Sequence, residues 1–203
     1  MMPARLSSSL SPMRFRSPLV FGLLLGVLCL RDASAQHAST VVIVVRHADK
    51  DTIPKDDPPL TPAGVTRAKA LAAALADAGV EAVITTELIR SRATARPLAE
   101  AQRLTPTTVP HGADIARHAQ AVAAAVRRLH GKTVLVVGHG ETVGPIIQAL
   151  GGPAIPEVCA YEYSNLYTLV LDESDKAVRL IHSSYGAPSP PHASPCTARM
   201  TPR

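Results

Sequence analysis

The chain has 203 residues, 46 % of them apolar and 18 % charged, with aromatics at only 3 % and no Trp. That balance excludes an intrinsically disordered chain and leaves room for one domain with a true core, built mainly from Ala, Val, Leu and Ile. The formal charge of +5 suggests an anionic partner, but its distribution removes that suggestion.

Most of the excess sits at the N-terminus. Arg5, Arg14 and Arg16 precede the apolar run "LVFGLLLGVLCL" (19–30), and "ASAQ" follows, with Ala33 and Ala35 in A-x-A spacing. This reads as a secretory signal peptide over residues 1–35, cleaved after Ala35. Twelve apolar residues fall short of the roughly 20 a membrane span needs. Cys29 lacks the small residues before it that a lipoprotein signal requires, and Met13 offers an alternative start. Cleavage removes four basic residues and Asp32, leaving 168 residues at +2. An exported location, periplasmic or secreted, is expected, with no nucleic-acid partner and no stable membrane insertion after cleavage; nothing bears on the oligomeric state. In an oxidising compartment Cys159 and Cys196 can form a disulfide.

In chain order, "VVIVVR" (41–46) is a continuous β-branched run, as a strand buried on both faces requires. A polar, Pro-rich loop covers 50–60. Thr61 can cap a helix, Pro62 suits its first position and Gly79 its stop, with Val65, Ala68, Ala72 and Leu75 at helical spacing on one face. "EAVITT" (81–86) is a strand, 87–102 a helix, "PTTV" (106–109) a weak strand and 113–130 an Ala-rich helix. "TVLVVG" (133–138) is a second strongly buried strand, followed by a helix over about 142–150. "LYTLVL" and "AVRLIHS" form an antiparallel hairpin around "DESDK". Residues 186–203 carry five prolines and are expected to be largely disordered. The fold class is therefore α/β, a three-layer α/β/α sandwich with a mainly parallel sheet and a C-terminal antiparallel hairpin, and its domain spans 36–185.

In such folds chemistry gathers at the carboxyl ends of the strands. Three of those ends carry unusual residues: Arg46-His47, then Arg90 about one turn into the following helix with Thr94 on the same face, then His139-Gly140-Glu141. Two guanidinium groups can grip a tetrahedral oxyanion. A histidine set among permanent cations stays neutral near pH 7, and a neutral imidazole is a nucleophile toward bound phosphate. Arg46, Arg90 and His139 suit the charge that spreads over phosphoryl oxygens in transfer. His130 and His182, at a helix end and in a hairpin strand, have ordinary structural explanations. A zinc site built on His47 and His139 would face repulsion from Arg46.

The blocks "RHADK", "LTPAGVTRA", "TTELIRSRATARPLA" and "VVGHGETVGPIIQALGG" together resemble the landmarks of the histidine phosphatase superfamily, also called phosphoglycerate-mutase-like, over residues 40–185. The resemblance implies that His47 is the nucleophile that becomes phosphohistidine. It implies that Arg46, Arg90 and His139 bind the phosphoryl oxygens, and that no metal or organic cofactor is needed. The proton donor is less plain. Many small members resemble this chain but have Ser-Asn where Gly140-Glu141 stands; Glu141 is the favoured donor, with Asp49, Asp51, Asp114 and His111 as competitors. The expected function is hydrolysis of a small phosphomonoester by a metal-independent phosphatase. A phosphomutase is one alternative, although the short chain offers little to cover an intermediate. A phosphate-binding protein without turnover is the other.

Overall fold

A computed structural model describes residues 39–172, 174 and 177–189. The signal-peptide reading of 1–35 and the part of the Pro-rich tail from residue 190 onward lie outside the described residues. Six strands, β1 (Thr40–Arg46), β2 (Val80–Thr85), β3 (Thr107–Thr108), β4 (Thr133–Gly138), β5 (Asn165–Leu171) and β6 (Ala177–Ser184), form one sheet in the order β3-β2-β4-β1-β5-β6. The first four run parallel, β5 is antiparallel to β1, and β5 and β6 form the antiparallel hairpin. Four helices join them: α1 (Pro62–Ala74), α2 (Ile89–Gln102), α3 (Ile115–Arg127) and α4 (Gly140–Ala149).

The two β-branched runs are explained by burial on both sides. Val42 and Val44 of β1 and Val134 and Val136 of β4 pack with α3 and α4 in one core layer. Their neighbours Ile43, Val45, Leu135 and Val137 pack with α1 and α2 in the other. Alternate side chains point to opposite faces, so a strand covered on both faces is apolar at every position. Register completes the placement. Arg46 pairs with Gly138, so β1 and β4 end side by side and the backbone N–H of His47 donates to Gly138 O at 2.9 Å. His47 and His139 are therefore released from the sheet at the same level.

Three local expectations need correction. The buried face of α1 is Gly64, Arg67, Ala68 and Leu71, while Val65 is exposed. The helix is rotated from the apolar spacing because Arg67 is buried and donates from Nε to Asp49 Oδ2 at 2.7 Å and from Nη1 to Ala187 O at 2.7 Å. Gly64 allows this approach, since a Cβ there would collide with the carbonyl of Asp49. Second, α4 starts at Gly140, immediately after the strand, with His139 at its N-cap; Thr142 Oγ1 accepts from His139 N at 2.8 Å. A histidine in place of Ser, Thr, Asp or Asn hides that start from sequence. Third, Arg90 is the second residue of α2, so its guanidinium belongs to the helix's first turn.

Candidate active site

Arg46 and His47 leave β1 buried, at 8 % and 3 % exposure, and His139 leaves β4 at 1 %. The two imidazoles meet with ring centroids 5.2 Å apart at an interplanar angle of 60°. The Nδ1 of His47 lies 2.8 Å from the carbonyl of Ala48. A carbonyl only accepts, so Nδ1 carries the proton and Nε2 is left with a free lone pair. The backbone after His47 is fixed in turn, because Ala48 N donates to Thr94 Oγ1 at 2.8 Å while that hydroxyl donates to Arg90 O at 2.7 Å. Thr94 thereby joins the nucleophile candidate's backbone to the turn that carries Arg90.

Burial is the main reason both histidines are neutral. It pushes His47 down to about 3, with Arg46, Arg90 and Lys50 lowering it further and the hydrogen bond to Ala48 O pulling the other way. His139 is pushed down to about 2, again first by burial and then by His47, His111, Arg90 and His118. The neighbouring cations, on which the sequence-based expectation of neutrality rests, contribute, but desolvation is the larger effect.

The cations are held from behind. Arg46 donates from Nη1 to Cys159 O at 2.6 Å and to Glu162 O at 3.3 Å, and its guanidinium carbon lies 4.2 Å from the ring centroid of Tyr163. Burial lowers its pKa. Gly140 passes close to this guanidinium, and a Cβ there would stand 3.0 Å from Val158 O and 3.6 Å from Arg46 Nε. This crowding accounts for glycine where the family resemblance leads one to expect serine. Arg90 lies beside Asp57, Nη1 to Oδ1 at 3.5 Å, and the same carboxylate accepts from Ile89 N at 3.0 Å. Leu88 provides no side-chain cap for α2, so Asp57 supplies one from the 50–60 loop. The Nε atoms of Arg46 and Arg90 and Nδ1 of His139 are buried without a hydrogen-bond partner among the described residues. Buried polar nitrogens of this kind normally find a partner.

Five predicted residues, Arg46, His47, Arg90, His139 and Glu141, thus emerge at one end of the sheet. Glu141 lies in the first turn of α4, half exposed, with Oε1 3.2 Å from His111 Nε2. The competing acids are occupied elsewhere. Asp49 holds Arg67, Asp51 accepts from Thr52 N at 2.7 Å, and Asp114 caps α3. Sequence reasoning missed Thr86, whose Oγ1 lies 3.0 Å from His139 Nε2, and Ser91, which donates to Val137 O and accepts from Thr86 N. It also missed Tyr163, which closes over Arg46. Only Thr86 carries a signal, since it closes the strand predicted over 81–86 and directly follows β2.

The family model for the histidine phosphatase superfamily (branch 1) matches residues 37–115, a span that carries Arg46, His47, Arg90 and Thr94. Over those residues the chain is similar to the histidine phosphatase superfamily. His139 lies beyond the matched span, and the register of β1 and β4 supplies it. The chain is similar in fold to solved structures at low identity. The protein histidine phosphatase SixA in complex with tungstate matches with a TM-score of 0.58 at 22 % identity, over 71 % of this chain and 96 % of that one. A mycobacterial glucosyl-3-phosphoglycerate phosphatase matches with a TM-score of 0.53 at 17 %, over 73 % and 99 %. Phosphoserine phosphatase from Entamoeba histolytica in complex with 3-phosphoglyceric acid matches with a TM-score of 0.51 at 15 %, over 73 % and 97 %. No protein with a curated function matches the chain.

Proposed function

We propose that this chain hydrolyses small phosphomonoesters through a covalent phosphohistidine on His47, without a metal ion. One observation carries the reading: His47 presents an unprotonated Nε2 within one ring contact of His139, and the charge of Arg90 bears on both imidazoles. In the first step the Nε2 lone pair forms a bond to phosphorus as the ester oxygen leaves. Arg46, Arg90 and His139 take up the charge on the three remaining oxygens. Glu141 protonates the departing oxygen, and its contact with His111 provides a partner with which a proton can be shared. In the second step a water deprotonated by Glu141 attacks phosphorus, the N–P bond breaks, and inorganic phosphate and neutral His47 return.

Hydrolysis is favoured over phosphoryl exchange within one substrate. The 50–60 loop folds back on itself through Asp51 N to Pro59 O at 2.8 Å and serves Arg90 through Asp57. It is occupied as a support for the site and offers little to exclude water. The tungstate held by SixA and the 3-phosphoglyceric acid held by the Entamoeba histolytica phosphoserine phosphatase support a tetrahedral anion as the bound group here. The same reading places the protein outside the cytoplasm. The N-terminal charge and apolar run support export, and so does Cys159, which is disulfide-bonded.

The test is a panel of phosphomonoesters assayed with excess chelator, wild type beside His47→Ala. Turnover in chelator that disappears in the variant supports the proposal. Phosphate binding without turnover in the wild type would favour a binding protein instead.

A further inference from the structure

His111 stands at the edge of the site against both His139 and Glu141. Its ring lies 4.6 Å from that of His139, nearly perpendicular at 81°, and its Nε2 is 3.2 Å from Glu141 Oε1. One ligand atom from each of His111, His139 and Glu141 lies within 4.8 Å of the other two. The three come from well-anchored places. His139 and Glu141 are the N-cap and second residue of α4. His111 follows β3, with its backbone N–H donating to Glu87 Oε2 at 2.9 Å and its ring flanked by His118 at 5.5 Å.

Two imidazoles and one carboxylate are the donor set of three-ligand zinc sites, which leave one position open. Ligand atoms around a tetrahedral zinc ion stand about 3.4 Å apart, given bonds of about 2.0–2.2 Å. Closing this triad therefore requires shifts of about 1 Å, which the half-exposed Glu141 and the partly exposed His111 can make while His139 stays fixed. Arg46 and Arg90 are nearby cations, but each is turned toward acceptors of its own, and Glu87 and Glu141 place two carboxylates around His111. Imidazole donors favour zinc-class ions over magnesium and calcium, which prefer all-oxygen shells.

We propose that His111, His139 and Glu141 form an inhibitory site for a zinc-class divalent cation, which when filled occupies the His139 nitrogen that would otherwise contact the phosphoryl group. The inhibitory part rests on the phosphatase reading above; the binding part does not. The site is a brake, distinct from any cofactor requirement, and it makes chelator an activator of protein that carries zinc.

The test uses the full chain without an affinity tag. Zinc chloride is titrated by calorimetry into wild type, His111→Asn and Glu141→Gln, with magnesium chloride as control. Hydrolysis of p-nitrophenyl phosphate is followed in parallel, each protein's rate being referred to its own rate in chelator. The expected result is one zinc per chain, affinity at least tenfold lower in both variants, no heat with magnesium, and inhibition whose midpoint shifts at least tenfold in His111→Asn. Zinc-loaded wild type also loses binding of inorganic phosphate. Absence of zinc binding, equal affinity in His111→Asn, or a zinc-loaded enzyme as fast as the chelated one would overturn the proposal. If no phosphomonoester is hydrolysed, the phosphatase reading fails, and calorimetry with zinc and phosphate still decides the site.

Discussion

The rings of His47 and His139 lie 5.2 Å apart between centroids because the strands that carry them end in register, Arg46 opposite Gly138. The sheet thus performs the assembly, and the loops add only supports. Both rings are buried, both are held neutral, and Arg90 acts on both. Under the proposed mechanism this pair serves as a nucleophile and a donor to the same phosphoryl group.

Arg90→Ala should lower kcat by about 10²–10³-fold, the cost of removing one preorganised donor from a developing oxyanion. Steady-state kinetics on any accepted ester checks this. Arg90→Lys should recover only part of the loss, because an ammonium cannot reproduce the planar fork. Full recovery by lysine would mean that charge alone is needed there.

Glu141→Gln separates proton donation from phosphoryl binding. On an alkyl phosphate, whose leaving oxygen needs a proton, the rate should fall by about 10²-fold or more; on p-nitrophenyl phosphate the loss should be much smaller. An unchanged rate on the alkyl ester would remove Glu141 from that role.

Acid should destabilise the fold through the buried histidines. Their folded pKa values, about 3 for His47 and about 2 for His139, lie below the unfolded value near 6.5. The unfolded chain therefore binds more protons between those limits, and stability is fully present above pH 6.5 and lost as pH falls toward 3. Each histidine contributes a slope of up to about 1.4 kcal/mol per pH unit. Denaturant midpoints measured from pH 7 to pH 4.5 should fall steeply in wild type and less steeply in His47→Gln.

Gly64→Ala should cost about 1–3 kcal/mol, because the new Cβ would meet the Asp49 carbonyl and force α1 away. Chemical denaturation reads the loss. Because Asp49 lies two residues past His47, activity should fall along with stability.

How much of this was legible in the sequence depended on whether local pattern and tertiary demand agreed. β1 and β4 were plain because burial on both faces makes an apolar run with no alternation. Arg46, His47 and His139 were plain because they break such runs at strand ends, where buried polar groups need partners. The face of α1 was misjudged because a buried Arg67 outweighs an exposed Val65, and its partner Asp49 is remote in the chain. The start of α4 was set late because His139 takes the cap position with Thr142 as partner. His111, Asp57 and Tyr163 reach the site from loops whose course depends on the finished fold. His111 stood only as one competitor for proton donation, and its meeting with His139 could not be read from spacing.

Trapping the intermediate addresses the central claim most directly. Wild-type protein mixed with a phosphomonoester labelled on phosphorus, quenched in base within milliseconds and digested, should yield a labelled peptide containing His47. The label should survive alkali and be lost in acid. A catalytically active protein that yields no such adduct, or an adduct on a residue other than His47, would contradict the account.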